Sequence, residues 1–190
     1  MGAVPQRWAT ALPETKRVTT AQVPLAAAPV WLGVDRALAG WGAWRRSDGQ
    51  PVLVADAGTA LSLTRVNGQG QFAGGRLLAG AGLQLRALGQ ATAALPELAS
   101  GALAEGVSGD PWPAATAPAL AVGVVRGLAA ALIAAAGELE EPGMEPTQLW
   151  LTGGDGPLLA PLLAQEQRAW RLAPDLVLDA LAELRPDPGL

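Results

Sequence analysis

Three aspartates with glycine beside them are the residues best suited to chemistry in this sequence. Asp35 lies in GVDR, Asp56 in DAGT and Asp155 in TGGD, each at a predicted junction of strand and turn. A carboxylate can accept a proton as a general base or bind a cation, and an adjacent glycine lets a cation or phosphate approach the backbone. In open α/β sheets, ligands bind at the carboxyl ends of strands. These acids are therefore the first candidates for a functional site.

Each aspartate also has an ordinary structural interpretation. Asp56 could close an Asx turn, and Asp155 could be the N-cap of a helix, although two glycines before a helix also suit an anion. Asp35 could be a first-turn acid beside a solvated Arg36. In the functional alternative, Asp35 is a general base and Arg36 a fork for a substrate carboxylate. Spacing alone leaves both interpretations open.

Two threonines are less specific candidates. Thr59 follows Asp56 so closely that it does not distinguish a turn from a ligand site. Thr116 precedes Pro118 at the predicted start of a helix, which favours an N-cap, with a pocket hydroxyl as the alternative.

Three of the seven tryptophans surround GVDR, namely Trp31, Trp41 and Trp44. Trp41 and Trp44 are three residues apart and share a helical face. We expect the cluster to belong to the core rather than to a ligand platform.

The residue types that are missing narrow the chemistry further. Of 190 residues, 50% are hydrophobic, and none is His, Cys or Tyr. Without Cys there are no disulfides or thiolate sites, which fits a reducing cytosol, and without His there is no Ser-His-Asp triad and no common zinc site. Proton transfer would therefore depend on Asp, Glu or Lys. From the absence of Cys we also expect the protein to be cytoplasmic.

Charge and hydropathy argue against nucleic acid and a membrane as partners. The net charge is −4, with no basic cluster longer than Arg45–Arg46, which argues against nucleic acid. The N-terminus does not read as a signal peptide. Residues 117–137 form an apolar run long enough to span a membrane, but Arg126 lies at its centre, so we expect a core helix and no membrane.

The predicted elements indicate a mixed α/β fold with one central sheet, which a ribonuclease-H-like layer would fit, as would several other mixed folds. A helix follows Gly33, a buried strand covers 52–55, and a strand meander turns at NGQG. The remaining predictions are a helix over 81–99, a loop over 100–113, a helix over 117–137, a strand that runs into a glycine turn over 148–154, a helix over 155–170, a short strand or extended run over 171–178 and a tail helix over 179–190.

Five motifs in order resemble those of the type III pantothenate kinases, which belong to the acetate/sugar kinase, Hsp70 and actin superfamily. GVDR (33–36) resembles the family's G-x-D-R, and DAGTALSLT (56–64) resembles D-x-G-T-A-x-T-x-D. GGRLLAG (74–80) resembles G-G-x-I-x-P-G, TAPALAVG (116–123) matches T-x-x-A-x-x-x-G, and LTGGD (151–155) resembles the late glycine turn. The resemblance implies an actin-like α/β fold.

The resemblance also implies an enzyme that phosphorylates pantothenate with ATP and Mg²⁺, the first committed step toward coenzyme A, usually as a homodimer. Asp35 would be the base, Arg36 would lie near the pantothenate carboxylate, and Asp56 would bind a monovalent cation, K⁺ or NH₄⁺. The remaining pantothenate contacts would be Gly33, Val34 and Thr116. The ATP contacts would be Thr59, Gly58, Gly153 and Gly154. Phosphoryl transfer relies on positioning and charge neutralisation and needs neither His nor Cys.

The sequence also departs from the family pattern. It has no N-terminal strand ending in D-x-G-N-T, so we expect about 60 residues to be missing upstream. Residues 1–46 would then be a remnant of the first actin-like domain, and 47–190 the second domain, with the C-terminal tail packing back on the first. Thr64 replaces an Asp, Ser62 a Thr and Ala79 a Pro. We expect weak or no kinase activity from this chain alone; the alternative is a non-catalytic relative that acts as a binding or regulatory protein.

Overall fold

The structure, a computed structural model, describes residues 18–139 and 146–184. Five strands form one sheet in the order β3-β2-β1-β4-β5. The strands are β1 Val52–Ala57, β2 Ala60–Val66, β3 Phe72–Ala79, β4 Gln148–Thr152 and β5 Trp170–Leu172. β1, β2 and β3 pair antiparallel, whereas β4 is parallel to β1 and β5 is parallel to β4. The prediction of a ribonuclease-H-like mixed sheet with flanking helices is confirmed.

Six α-helices are present in the described residues, and they cover both faces of the sheet. They are α1 Val34–Arg45, α2 Ala81–Ala91, α3 Glu105–Ser108, α4 Thr116–Gly137, α5 Gly156–Leu163 and α6 Leu176–Glu183, with 3-10 turns at Thr20–Gln22 and Ser100–Ala104. Helices α1 and α6 share one core with Val52, Val54 and Val66. Helices α2, α4 and α5 share the other with Leu53 and Leu63. The alternation of β1 side chains therefore divides two hydrophobic layers.

The β2–β3 hairpin turns at the predicted NGQG. The Asn67 side chain accepts the backbone N–H groups of Gln69 and Gln71, at 3.1 and 2.9 Å. Gly70 has a φ of +72°, a conformation that costs glycine little. The hairpin prediction is confirmed.

Helix α4 is long and apolar enough by length and composition to cross a membrane, with a mean hydropathy of 2.1. Half of that apolar window is buried, and residues such as Val125, Leu128 and Leu132 lie in the sheet core. In this fold α4 is a core helix, as the charge at Arg126 led us to expect.

Helix α6 lies against α1, on the other side of the sheet. A Cβ on Gly42 would lie 2.8 Å from the Cβ of Ala180, so the two helices approach closely. Arg46 also forms ion pairs with Asp179 and Glu183, at 3.1 and 3.2 Å. The assignment of residues 1–46 to a separate domain stays a prediction, and residues 1–17 lie outside the described part.

Several predicted boundaries are wrong, and prolines explain most of the differences. The helix predicted over 81–99 ends at Ala91, because Thr92 is extended and Pro96 follows. The helix predicted over 155–170 ends at Leu163. The strand predicted over 171–178 stops at Leu172, since Pro174 cannot continue it, and α6 begins at Leu176. The loop predicted over 100–113 contains α3 and a 3-10 turn.

The tryptophan cluster is only partly core. Trp41 is buried, and Trp44 is half-buried with its indole N–H donating to Gly49 O at 3.0 Å. Trp31 is 68% exposed and contacts Phe72 edge-on, so its assignment to the core is wrong. The turn before α1 directs Leu32 inward instead, where it is 2% exposed.

Candidate active site

The N-terminus of α1 places Asp35 at the surface of the site. Gly33 is the N-cap, and Asp35 lies in the first helical turn, where a negative charge complements the helix dipole. Asp35 Oδ1 accepts the backbone N–H of Arg36 at 2.9 Å. A Cβ on Gly33 would lie 2.4 Å from the same oxygen. Glycine at position 33 therefore allows the carboxylate to fold back over the start of the helix.

Asp56, near the end of β1, points to the same face of the sheet as α1. It pairs in register with Ser62 of β2 and Thr152 of β4. Burial raises the pKa of Asp56, and the charge of Asp35 raises it further. The fold therefore brings two carboxylates that are 21 positions apart in the chain into one electrostatic environment.

The β1–β2 turn that carries Gly58 and Thr59 is fixed by Gly80. Gly80 donates its backbone N–H to Thr59 O at 3.0 Å, and a Cβ on Gly80 would collide with Gly58 O. The Thr59 side chain is exposed, and the space beside Gly58 is open. The end of GGRLLAG thus holds DAGT in a conformation that a ligand can approach.

The TGGD turn lies directly against the end of β1. Asp155 donates its backbone N–H to Ala57 O at 2.8 Å. Gly153 has a φ of +86°, and a Cβ there would lie 2.4 Å from both Ala57 O and Asp56 Oδ1. The space beside Gly154 is open. The turn therefore joins the carboxyl ends of two parallel strands.

Asp155 occupies the predicted N-cap position of α5, but its side chain makes no capping hydrogen bond to the described residues. Burial raises the pKa of Asp155. The carboxylate is thus a second partly desolvated acid at this edge of the sheet.

Arg36 is anchored to the sheet and is not a solvated side chain. Its Nε–H donates to Thr64 Oγ1 and its Nη2 to Leu63 O, each at 3.1 Å. Desolvation lowers the pKa of Arg36, and the charge of Asp35 acts in the opposite direction. A half-buried guanidinium thus lies within the electrostatic range of the Asp35 carboxylate.

Thr116 lies apart from this cluster. It is the first residue of α4, one position after the N-cap Ala115, so its prediction as N-cap is wrong by one residue. Its side chain is exposed, and α4 covers the face of the sheet opposite α1.

Sequence reasoning left four residues out of the site. Ser62 and Thr64 were only noted as departures from a motif, and Gly75 and Gly80 only as motif glycines. Alternation along β2 could have found both hydroxyls, because Ser62 and Thr64 share the face of Asp56. Within 18–139 and 146–184, no group of three or more acids is placed to hold a metal ion.

Comparison with known proteins shows the family. The family model described as type III pantothenate kinase matches residues 8–136. A type III pantothenate kinase of Synechococcus elongatus is 41% identical over 186 residues, which cover 95% of this chain and 71% of the relative. One of Alkalilimnicola ehrlichii is 42% identical over 159 residues, covering 83% of this chain and 60% of the relative.

A solved structure supports the fold alone. A conserved protein from Campylobacter jejuni, described as a Baf family transcriptional activator, superposes with a TM-score of 0.61 at 21% identity, covering 87% of this chain and 69% of its own. The family match over residues 8–136 and the 41% identity with the Synechococcus elongatus kinase establish that the chain belongs to the type III pantothenate kinase family.

Proposed function

We propose that this protein transfers a phosphoryl group from ATP to the primary hydroxyl of pantothenate. One observation carries the proposal: the exposed Asp35 carboxylate lies within the electrostatic range of both the Arg36 guanidinium and the Asp56 carboxylate. A carboxylate base, a cationic group for the substrate and a second acid are the parts that such a reaction needs. The family relationship supports the choice of substrate.

In the proposed mechanism, Asp35 accepts the proton of the pantothenate hydroxyl as its oxygen attacks the γ-phosphorus of ATP. The bond from that phosphorus to the bridging oxygen breaks, and ADP leaves with the electron pair. Arg36 pairs with the pantothenate carboxylate, and Gly33 and Val34 line the same pocket. The reaction depends on alignment and charge, so one base is sufficient.

The residues around Asp56 fit a monovalent cation. Asp56 Oδ1 and Ala57 O both lie close to the backbone of Gly153 at the end of β1, and both are hard oxygen donors of the kind that such a cation takes. A bound K⁺ or NH₄⁺ would supply positive charge near the ATP phosphates. We propose that Asp56 is its carboxylate ligand, and that Mg²⁺ enters the site with ATP.

The ATP phosphates would lie along two glycine turns. Gly58 and Gly154 have open space beside their backbones, and the Thr59 hydroxyl is exposed next to them. Gly153 brings the second turn against the first. We therefore assign the phosphate contacts to these four residues.

We also propose that Thr116 contacts the substrate, that the protein forms a homodimer and that it is cytoplasmic. The Thr116 side chain is exposed and accessible to a substrate. On the outer face of α4, Gly123 and Gly127 are exposed with open space at their Cβ positions, which would let a second copy approach closely. The absence of Cys fits a reducing compartment.

The test is to incubate the 190-residue chain with ATP, Mg²⁺, K⁺ and pantothenate and to measure 4'-phosphopantothenate by mass spectrometry. We expect slow formation of product, because the sequence has no D-x-G-N-T phosphate loop. Asp35→Asn should abolish formation yet retain pantothenate binding by calorimetry. Binding without turnover in the wild type would show that these 190 residues bind pantothenate but do not phosphorylate it, as a non-catalytic binding or regulatory relative would. Loss of binding in the wild type would exclude both functions.

A further inference from the structure

The guanidinium of Arg36 has two distinct edges in this structure. Nε–H and one Nη2–H bind neutral acceptors on β2, the hydroxyl of Thr64 and the carbonyl of Leu63, each at 3.1 Å. Nη1 and the second Nη2–H form the other edge of the planar fork. Because both acceptors are neutral, the positive charge of Arg36 is oriented by β2 without being cancelled by it.

The Thr64 side chain is held in one orientation by packing. It is 1% exposed, and its Cγ2 methyl faces α1, where a Cβ on Gly40 would lie 3.3 Å away. A β-branched side chain has few rotamers, so placing the methyl against α1 also fixes the hydroxyl. That hydroxyl is bonded to Arg36 Nε.

Gly75 makes room for the guanidinium on the neighbouring strand. It pairs with Thr64 across β2 and β3, and a Cβ there would lie 2.3 Å from Arg36 Nη2. Any larger residue would displace the Arg36 head from its acceptors. The Thr64 hydroxyl, the Leu63 carbonyl and the space at Gly75 therefore determine the position of the Arg36 guanidinium.

We infer that Thr64 is a positioning residue, which holds one edge of the Arg36 guanidinium so that the opposite edge presents two N–H donors to a ligand carboxylate. A bidentate pair of this kind needs the fork held in plane. The inference rests on the proposed function, in which that ligand is pantothenate, and adds to it a residue that specifies the acid over its uncharged analogues.

A simpler role for Thr64 is core packing, and it makes a different prediction. Val has the same shape without the hydroxyl, so Thr64→Val would leave ligand selectivity unchanged if Thr64 only filled space. Thr64→Ser keeps the hydroxyl and loses the methyl, so it would lower stability without affecting Arg36. The two variants separate packing from positioning.

The first measurement is calorimetric titration with pantothenate and with its alcohol analogue, in which CH₂OH replaces the carboxylate. Thr64→Val should lower the preference for pantothenate about tenfold, the size of one hydrogen bond to a charged group, with little change for the alcohol. Thr64→Ser should keep the preference. Ser47→Ala is the matched control, because it removes another buried hydroxyl that accepts a side-chain N–H, from Trp150 at 2.9 Å.

The second measurement needs no ligand. In nitrogen-15 spectra, the Arg36 Nε–H should be protected from exchange in the wild type and in Thr64→Ser, and exposed to exchange in Thr64→Val. An unchanged ligand preference or an unchanged Arg36 resonance in Thr64→Val would overturn the inference while leaving the proposed kinase intact. If the wild type binds neither ligand, the proposed function is wrong, and so is the proposed binding of a ligand carboxylate by Arg36.

Discussion

Gly153 and Asp56 meet at the carboxyl ends of two parallel strands, where a Cβ on the glycine would lie 2.4 Å from the aspartate Oδ1. The same point is 2.4 Å from Ala57 O. Because glycine has no Cβ, Asp56 Oδ1 and Ala57 O can both lie close to the Gly153 backbone at the end of β1. This relationship makes the cation site and the conformation of the TGGD turn testable together.

Potassium should stabilise the protein through Asp56. A cation that binds only the folded state raises its stability, and at ten times its dissociation constant we expect Tm to rise by about 3 °C. The measurement is thermal unfolding in KCl against tetramethylammonium chloride at equal ionic strength. Asp56→Asn should remove the difference. Asp155→Asn, which changes the other partly buried carboxylate of this edge, should retain it; an equal response of both variants would exclude Asp56 as the ligand.

Without a bound cation, Asp56 should make stability fall as pH rises. Burial raises its pKa in the folded state, so between its unfolded and folded pKa values the folded chain holds more protons than the unfolded chain. The slope of the free energy of unfolding against pH is then negative over that window, and the loss is complete above the folded pKa. Urea unfolding from pH 3.5 to 8 should show a flatter profile for Asp56→Asn than for wild type. A steeper profile would contradict a raised pKa.

Gly153→Ala should destabilise the protein and also abolish the potassium response. Its φ of +86° costs a non-glycine residue about 1–2 kcal/mol, and the new methyl would collide with Asp56 and Ala57. We expect a loss of about 2 kcal/mol or more in urea unfolding. Gly154→Ala is the matched control, because position 154 has open space and no positive φ. Similar losses for both variants would show that the contact with Asp56 does not matter.

The sequence was sufficient for the elements with strong local signals. The apolar run of β1, the NGQG turn and the glycine before α1 each determine their own conformation, so the strand, hairpin and helix were predicted nearly where they lie. Helix ends near proline were harder to place, because a pattern of apolar residues continues past the residue where the backbone turns.

The partners of Arg36 could not be predicted in this way. Thr64 is 28 residues away, and its register with Gly75 depends on a sheet that also has an irregularity between Thr64 and Val66. Spacing could suggest that Arg36 serves a carboxylate, but only the pairing of β2 with β3 shows what holds its other edge. The burial of Trp31 could not be predicted either, because the conformation of the turn before α1 decides whether Trp31 or Leu32 points into the core.

The contact of α1 with α6 should behave as a coupled pair. Gly42→Ala should gain helix propensity of about 1 kcal/mol but place a methyl 2.8 Å from the Ala180 Cβ, so we expect a net loss of about 1 kcal/mol. Ala180→Gly removes the opposing methyl. In the double variant the Gly42→Ala change should become favourable, with a coupling energy of about 1–2 kcal/mol in urea unfolding. Gly123→Ala, on the exposed face of α4 with open space around it in one chain, is the control and should gain stability when unfolding is measured on dilute, monomeric protein. If the Gly42 and Ala180 changes were additive, α6 would not be packed on α1 in solution, and the sheet face beneath the candidate active site would lack that cover.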